Sequence, residues 1–218
     1  MNDEASRADT KRRWKKTIFA MLLGAGFGFV SALVFMRLID NGTLGDLETS
    51  REIAGLVGLV FLLTGVGIGI ALIMPKAGAT YLNVEDADEV REQRGMLTYS
   101  SIGMAAMGAI LVIAALAAPV GPIAQGTALA LIVALLVVVV GTSIAAYRRQ
   151  DELMRAVGNE AGKVAFYILS LAVGGWAIAA HLGYAAGPAA LDLVTLIFSS
   201  LLIAAFYVTA RRGMMVMR

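Results

Sequence analysis

Long apolar runs alternate with short polar ones along the chain, and the runs are of similar length. Six stretches stand out, at about 17–36, 53–74, 98–118, 127–147, 164–182 and 189–210, and none has a charged residue in its central third. A helix needs roughly 20 mostly apolar residues to cross the hydrocarbon core of a bilayer. The pattern therefore predicts an all-α polytopic membrane protein, with six transmembrane helices in three antiparallel hairpins. Pro75, Pro119, Pro122 and Pro188 all fall at span ends or in connections, where they punctuate helices without kinking them. Pro119-Val120-Gly121-Pro122 reads as a tight turn between spans three and four. The stretch from Gly183 to Pro188 reads as the turn between spans five and six.

The charged positions orient this threading. The chain has 18 Lys and Arg, and in a six-span arrangement all but Arg37 and Arg51 fall on one side. Cytoplasmic loops carry the excess of Lys and Arg, so that side is predicted to be cytoplasmic, with both termini inside. The expected organisation is a basic cytoplasmic tail (1–16), a six-helix domain (17–210) with cytoplasmic loops at 75–97 and 148–163, and a cytoplasmic tail (211–218). The stretch from Lys11 to Lys16 also resembles the start of a signal peptide. The apolar run after it is longer than a signal core of about 7–15 residues, so span one is expected to be a retained anchor.

The two cytoplasmic loops hold most of the remaining charge. Asn83 is a candidate cap for a helix leading into span three, with Asp86 in its first turn, where the helix dipole favours an acid. Asp88 and Arg91 stand three apart, and Asp151 and Arg155 four apart, the spacings of helical ion pairs. Each loop therefore reads as a helical extension of the following span. The plain reading is a solvated helix end at headgroup level. The functional one is a docking surface, over 84–95 and 148–160, for a cytoplasmic protein or another membrane subunit.

Composition narrows the chemistry. Hydrophobic residues make up 59% and charged residues 16%, against about 45–50% and about 25% in soluble domains. There is no Cys, which excludes disulfides, thiolate catalysis and cysteine-bound zinc. The single His, with no acidic residue deep in a span, gives no metal site and no cofactor. Nothing in the charge pattern calls for nucleic acid. Gly65-Val66-Gly67 sits inside an apolar span, not after a strand, so it is no phosphate loop. Intramembrane serine proteases resemble the chain in span number, but their G-x-S-G motif is incomplete in Gly141-Thr142-Ser143-Ile144. Ser143 and His181 also fall at opposite ends of their spans, whereas a nucleophile and its base must stand about 3 Å apart.

Two patterns remain. Gly55, Gly58, Gly65 and Gly69 form one stripe on span two, and Gly24 and Gly28 a similar one on span one. Small residues let membrane helices approach closely, so these stripes are expected to face each other. Ala130, Ala134, Gly141 and Ala145 are a third such row, on span four. His181 and Asp192 are symmetric about the last turn, with Arg37 at a similar depth. They form a candidate outer polar cluster, readable as a ligand site, a proton-sensitive latch or independent interfacial residues. No nucleophile or acid–base pair is assembled. The expectation is a non-enzymatic membrane subunit or scaffold in a bacterial inner membrane, with a small-molecule transporter or channel as the alternative.

Overall fold

The computed structural model describes residues 18, 22, 24–45, 47–82 and 87–215, without the side chains of 77 and 80–82. The basic tail, the N-cap expected at Asn83, the acid at Asp86 and residues 216–218 lie outside the described residues. Among the described residues the protein is helical, with no strand. Helix α1 covers 24–40. It is followed by α2 (Thr49–Ile73), α3 (Pro75–Leu82), α4 (Ala87–Glu92), α5 (Arg94–Ala115), α6 (Gln125–Arg149), α7 (Glu152–His181) and α8 (Ala190–Arg211). Five of these, α2 and α5 to α8, are long and apolar enough to cross a membrane.

The helix ends follow local chemistry. α2 stops at Met74 because Pro75 has no N–H to continue it. Pro75 instead opens α3, a position that suits its fixed φ. α3 folds back so closely that a Cβ on Gly78 would strike the backbone of Ala71. α7 begins where the Asp151 carboxylate accepts the N–H of Met154 at 2.7 Å, a side-chain N-cap. α8 begins with Asp192 reaching back to accept the Ala189 N–H at 2.7 Å. Arg148 and Arg149 end α6 and Arg211 ends α8, where cations complement the carbonyl end of the dipole.

Two differences from the sequence expectation have simple causes. The loop after α2 is not one extension of the next span. It holds two short helices, and Gln93 sits in a turn that separates α4 from α5. By contrast α7 is continuous over 30 residues, about 45 Å at the helical rise. That is longer than a helix needs to cross a hydrocarbon core of about 30 Å. The Asp151–Arg155 pair does not form. Asp151 is committed to the cap, and Arg155 instead lies 5.2 Å from the Tyr147 ring centroid. The Asp88–Arg91 pair does form, at 2.5 Å.

Packing is a chain of neighbours. α5 lies between α2 and α6, α7 pairs with α8, and α8 leans on α2 and more lightly on α5. α6 and α7 are joined by only Gln150 and Asp151, yet they do not pack along their lengths. One part of the core gathers Ala54, Leu111 and Ala115 with Val194 and Phe198. Phe61 meets Phe198 of α8 with ring centroids 5.9 Å apart. A second cluster, at one end, joins Phe35 and Ile39 of α1 to Leu47, Leu116 and Val120. At the far end of the α7–α8 hairpin, Glu160 accepts from Arg212 at 2.5 and 2.9 Å, and Arg211 stands 3.6 Å away.

Candidate functional site

The glycine stripe of α2 does not lie as a unit on α1. Only Gly55 meets that helix, and it does so under the ring of Phe35. The rest of the stripe faces α5. A Cβ on Gly58 would come within 2.8 Å of the Gly108 carbonyl, and one on Gly108 within 2.5 Å of the Gly58 carbonyl. A Cβ on Gly65 would lie 2.6 Å from the Ala105 nitrogen. A Cβ on Gly69 would lie 3.1 Å from the Ser101 hydroxyl, and that hydroxyl donates to the Gly65 carbonyl at 2.7 Å. Gly24 and Gly28 have nothing within 4 Å, so the expected α1–α2 glycine contact is absent. The physical reason is bulk: a phenyl ring fills the α1–α2 gap, and helices so spaced cannot also touch through glycine. The α6 row is turned outward as well. Gly141 has open space around it, Ala130 and Ala134 are exposed, and the buried α6 residues are Ala128 and Ala146. The true partner row was visible in sequence as Ser101, Ala105, Gly108 and Val112, small or β-branched residues at helical spacing.

The end of the bundle holding the α1–α2 and α5–α6 loops is clasped. Arg51, half-buried in the first turn of α2, donates Nη1 to the carbonyls of Ala115 at 3.0 Å and Ala117 at 2.6 Å. The Ala115 carbonyl closes α5, and that of Ala117, just beyond it, also accepts the Gly121 N–H at 3.3 Å; a guanidinium there complements the carbonyl end of the dipole. Gly45, at φ +87°, sits against the Val120 carbonyl, where any side chain would collide. In sequence Arg51 stands out only as one of two cations on the side away from the rest, since its partners are backbone atoms 64 and 66 residues away.

The proposed outer polar cluster is not joined by contacts. Asp192 caps the start of α8, while His181 and Arg37 are exposed. Among the described residues no hydrogen bond or ion pair links Arg37, His181 and Asp192. The hairpin turn they flank is held instead by Trp176, whose indole N–H donates to the Ala186 carbonyl at 2.7 Å. Gly183 makes that turn at φ +80°.

At the opposite end, α4, α5, α6 and α7 enclose a groove of about 700 Å³. Glu92, Gln93, Gly95, Met96, Arg149 and Asp151 line it. Arg149 crosses Gly95 and places its guanidinium 4.7 Å from the Tyr99 ring centroid. Among the described residues no group of three metal-ligating side chains occurs.

These features define a class: an all-helical protein with five helices fit to cross a membrane, closed at one end by a loop clasp and grooved at the other. Comparison with protein families, with curated proteins and with solved structures found no match for the chain.

Proposed function

We propose that the chain is a non-enzymatic subunit or scaffold of a membrane assembly, with six spans and both termini in the cytoplasm of a bacterial inner membrane. The observation that carries this reading is the contrast between two kinds of surface. The α2–α5 contact is backbone against backbone, as in a fixed core, whereas α6 and α7 keep their long apolar sides bare. Val137 and Leu171, 68% and 77% exposed, mark those sides. Small positions on them, Gly141, Gly174 and Gly175, have nothing within 4 Å and suit a close-packed neighbouring helix.

The hydroxyls a transport pathway would use weigh against the transporter alternative. Thr64, Ser101 and Thr142 all donate to helix carbonyls at 2.7 Å. The six-span threading rests on the apolar run over 17–36 and on the one-sided placement of Lys and Arg. The charged ends over 84–95 and 148–160 are the surfaces a cytoplasmic partner would meet.

Two experiments test the reading. Reporter fusions at Asp46, Gly121 and Ala186 should read as external, and fusions at Asp88 and Asp151 as cytoplasmic; a cytoplasmic signal at Ala186 ends the six-span threading. Photo-crosslinkers at Val137 and Leu171, in intact membranes, should trap a defined second chain in stoichiometric yield. Adducts with lipid alone at both positions would overturn the subunit reading.

A further inference from the structure

We propose that the groove at the α5–α6–α7 corner binds a dipolar headgroup, a primary ammonium carried close to an oxyanion, as in an ethanolamine phospholipid. The groove presents fixed charges of both signs that do not neutralise each other. Arg149 forms the positive side. Its side chain is seated on Gly95, where a Cβ would come within 3.1 Å of both its Cδ and its Nε, and its guanidinium lies over Tyr99. Its Nη1 donates to the Ala145 carbonyl at 3.4 Å, and its remaining N–H groups can donate to an oxyanion. Among the described residues no ion pair joins Arg149 to a carboxylate, although Glu89, Glu92 and Asp151 line the same groove.

These three carboxylates form the negative side, and Glu89 also accepts from the Gln93 amide at 3.1 Å. Asp151 spends Oδ1 on the Met154 N–H, which fixes the orientation of the group. Glu92 ends α4 and is exposed. A simple cation in the groove would meet the guanidinium, and a simple anion would meet the carboxylates. A ligand carrying both charges satisfies both sides.

Depth supplies the second half of the argument. The groove lies where the apolar runs of α5 and α6 give way to Arg94 and Arg148. That is headgroup level for helices that cross a bilayer. Met96 and Met154 add flexible apolar surface beside the charges, suited to the glycerol and upper acyl region of a lipid. Choline carries the same phosphate, but its methylated nitrogen cannot donate hydrogen bonds, so the groove should reject it. The inference rests on the membrane reading of the helices and is independent of the subunit role and of which side is cytoplasmic.

The test uses the full chain, purified in mild detergent and reconstituted into nanodiscs of phosphatidylcholine doped with phosphatidylethanolamine or phosphatidylglycerol. Native mass spectrometry counts the lipid retained. Phosphatidylethanolamine should be kept about tenfold over phosphatidylcholine, a difference of about 1.4 kcal/mol. Phosphatidylglycerol, which lacks the ammonium, should not match it. Arg149→Gln and Glu92→Gln should each abolish the preference; Glu92 is exposed, so that variant keeps the fold. Soluble O-phosphoethanolamine separates the two sources of this chemistry. If it displaces the retained lipid, the headgroup alone is recognised; if it does not, the acyl chains belong to the site. Equal retention of all three lipids overturns the proposal, as does a preference that survives in both variants. Neither result would touch the crosslinking and reporter tests of the subunit role.

Discussion

Gly108→Ala pits two opposing effects against each other at one position. Alanine is the better helix former by about 0.8–1.0 kcal/mol, so on propensity alone the change should stabilise α5. The structure argues the reverse. A methyl at Gly108 would lie 2.5 Å from the Gly58 carbonyl oxygen and from the Leu62 nitrogen, where ordinary contact is 3.4–4 Å. Both neighbours are backbone atoms of a helix and cannot rotate away. α2 and α5 must separate, which loosens the Gly58, Gly65 and Ser101 contacts along the same seam. Overpacking by a single methylene-sized group costs about 1–3 kcal/mol in a core, and the rigid neighbours put this case at the upper end. The net expectation is a loss of about 1–2 kcal/mol, after about 1 kcal/mol of propensity gain is set against it. Gly162→Ala is the matched control, because Gly162 lies inside α7, has nothing within 4 Å and keeps only the gain. Thermal unfolding of both variants in one detergent is the assay. If Gly108→Ala melts at or above Gly162→Ala, the backbone-to-backbone crossing of α2 and α5 is wrong.

Three further outcomes follow from other contacts. Arg51→Gln should lower stability by about 1–3 kcal/mol, since hydrogen bonds from a charged donor contribute about 1.5–3 kcal/mol and this one is part-exposed; a wild-type melting temperature would remove the clasp. Asp192→Ala should cost about 0.5–2 kcal/mol through the lost Ala189 N–H acceptor, His181→Gln should cost nothing measurable, and the double variant should be additive. A coupling well above about 0.5 kcal/mol in that cycle would restore the polar cluster. Trp176→Phe should cost about 0.5–1.5 kcal/mol, read by denaturant titration, and a neutral result would mean the Ala186 carbonyl is satisfied without the indole.

What could be read from the sequence was what depends on near neighbours. Apolar runs, prolines at their ends and the Asp88–Arg91 pair are local, and α2 and α5 to α8 lie where the runs predicted. The glycine stripe of α2 was legible as a packing surface, but the choice among several small-residue rows was not. Spans one and three both offered small residues, and the phenyl ring of Phe35 decided against span one. Arg51 was illegible for a different reason, because a guanidinium that caps a distant helix leaves no pattern of its own. The His181–Asp192 symmetry was real in sequence but carries no hydrogen bond or ion pair. A carboxylate three residues into a helix has a nearer partner, the backbone N–H at the helix start.

The two-residue link between α6 and α7 divides the protein in a way that spacing alone does not suggest. Helices α5 and α6 form one hairpin and α7 and α8 another, and across the Gln150–Asp151 junction they share no long seam. The second hairpin is moored mainly by α8, through residues such as Phe198 against Phe61. Severing the peptide bond between Gln150 and Asp151 therefore removes a tether but no packed surface. Two fragments expressed together from that cut can reassemble through the aromatic mooring, and the strength of that reassembly measures the contacts of α8 with α2 and α5. A natural chain of this design can gain, lose or exchange its last hairpin as a single unit while the α2–α5 core is left intact.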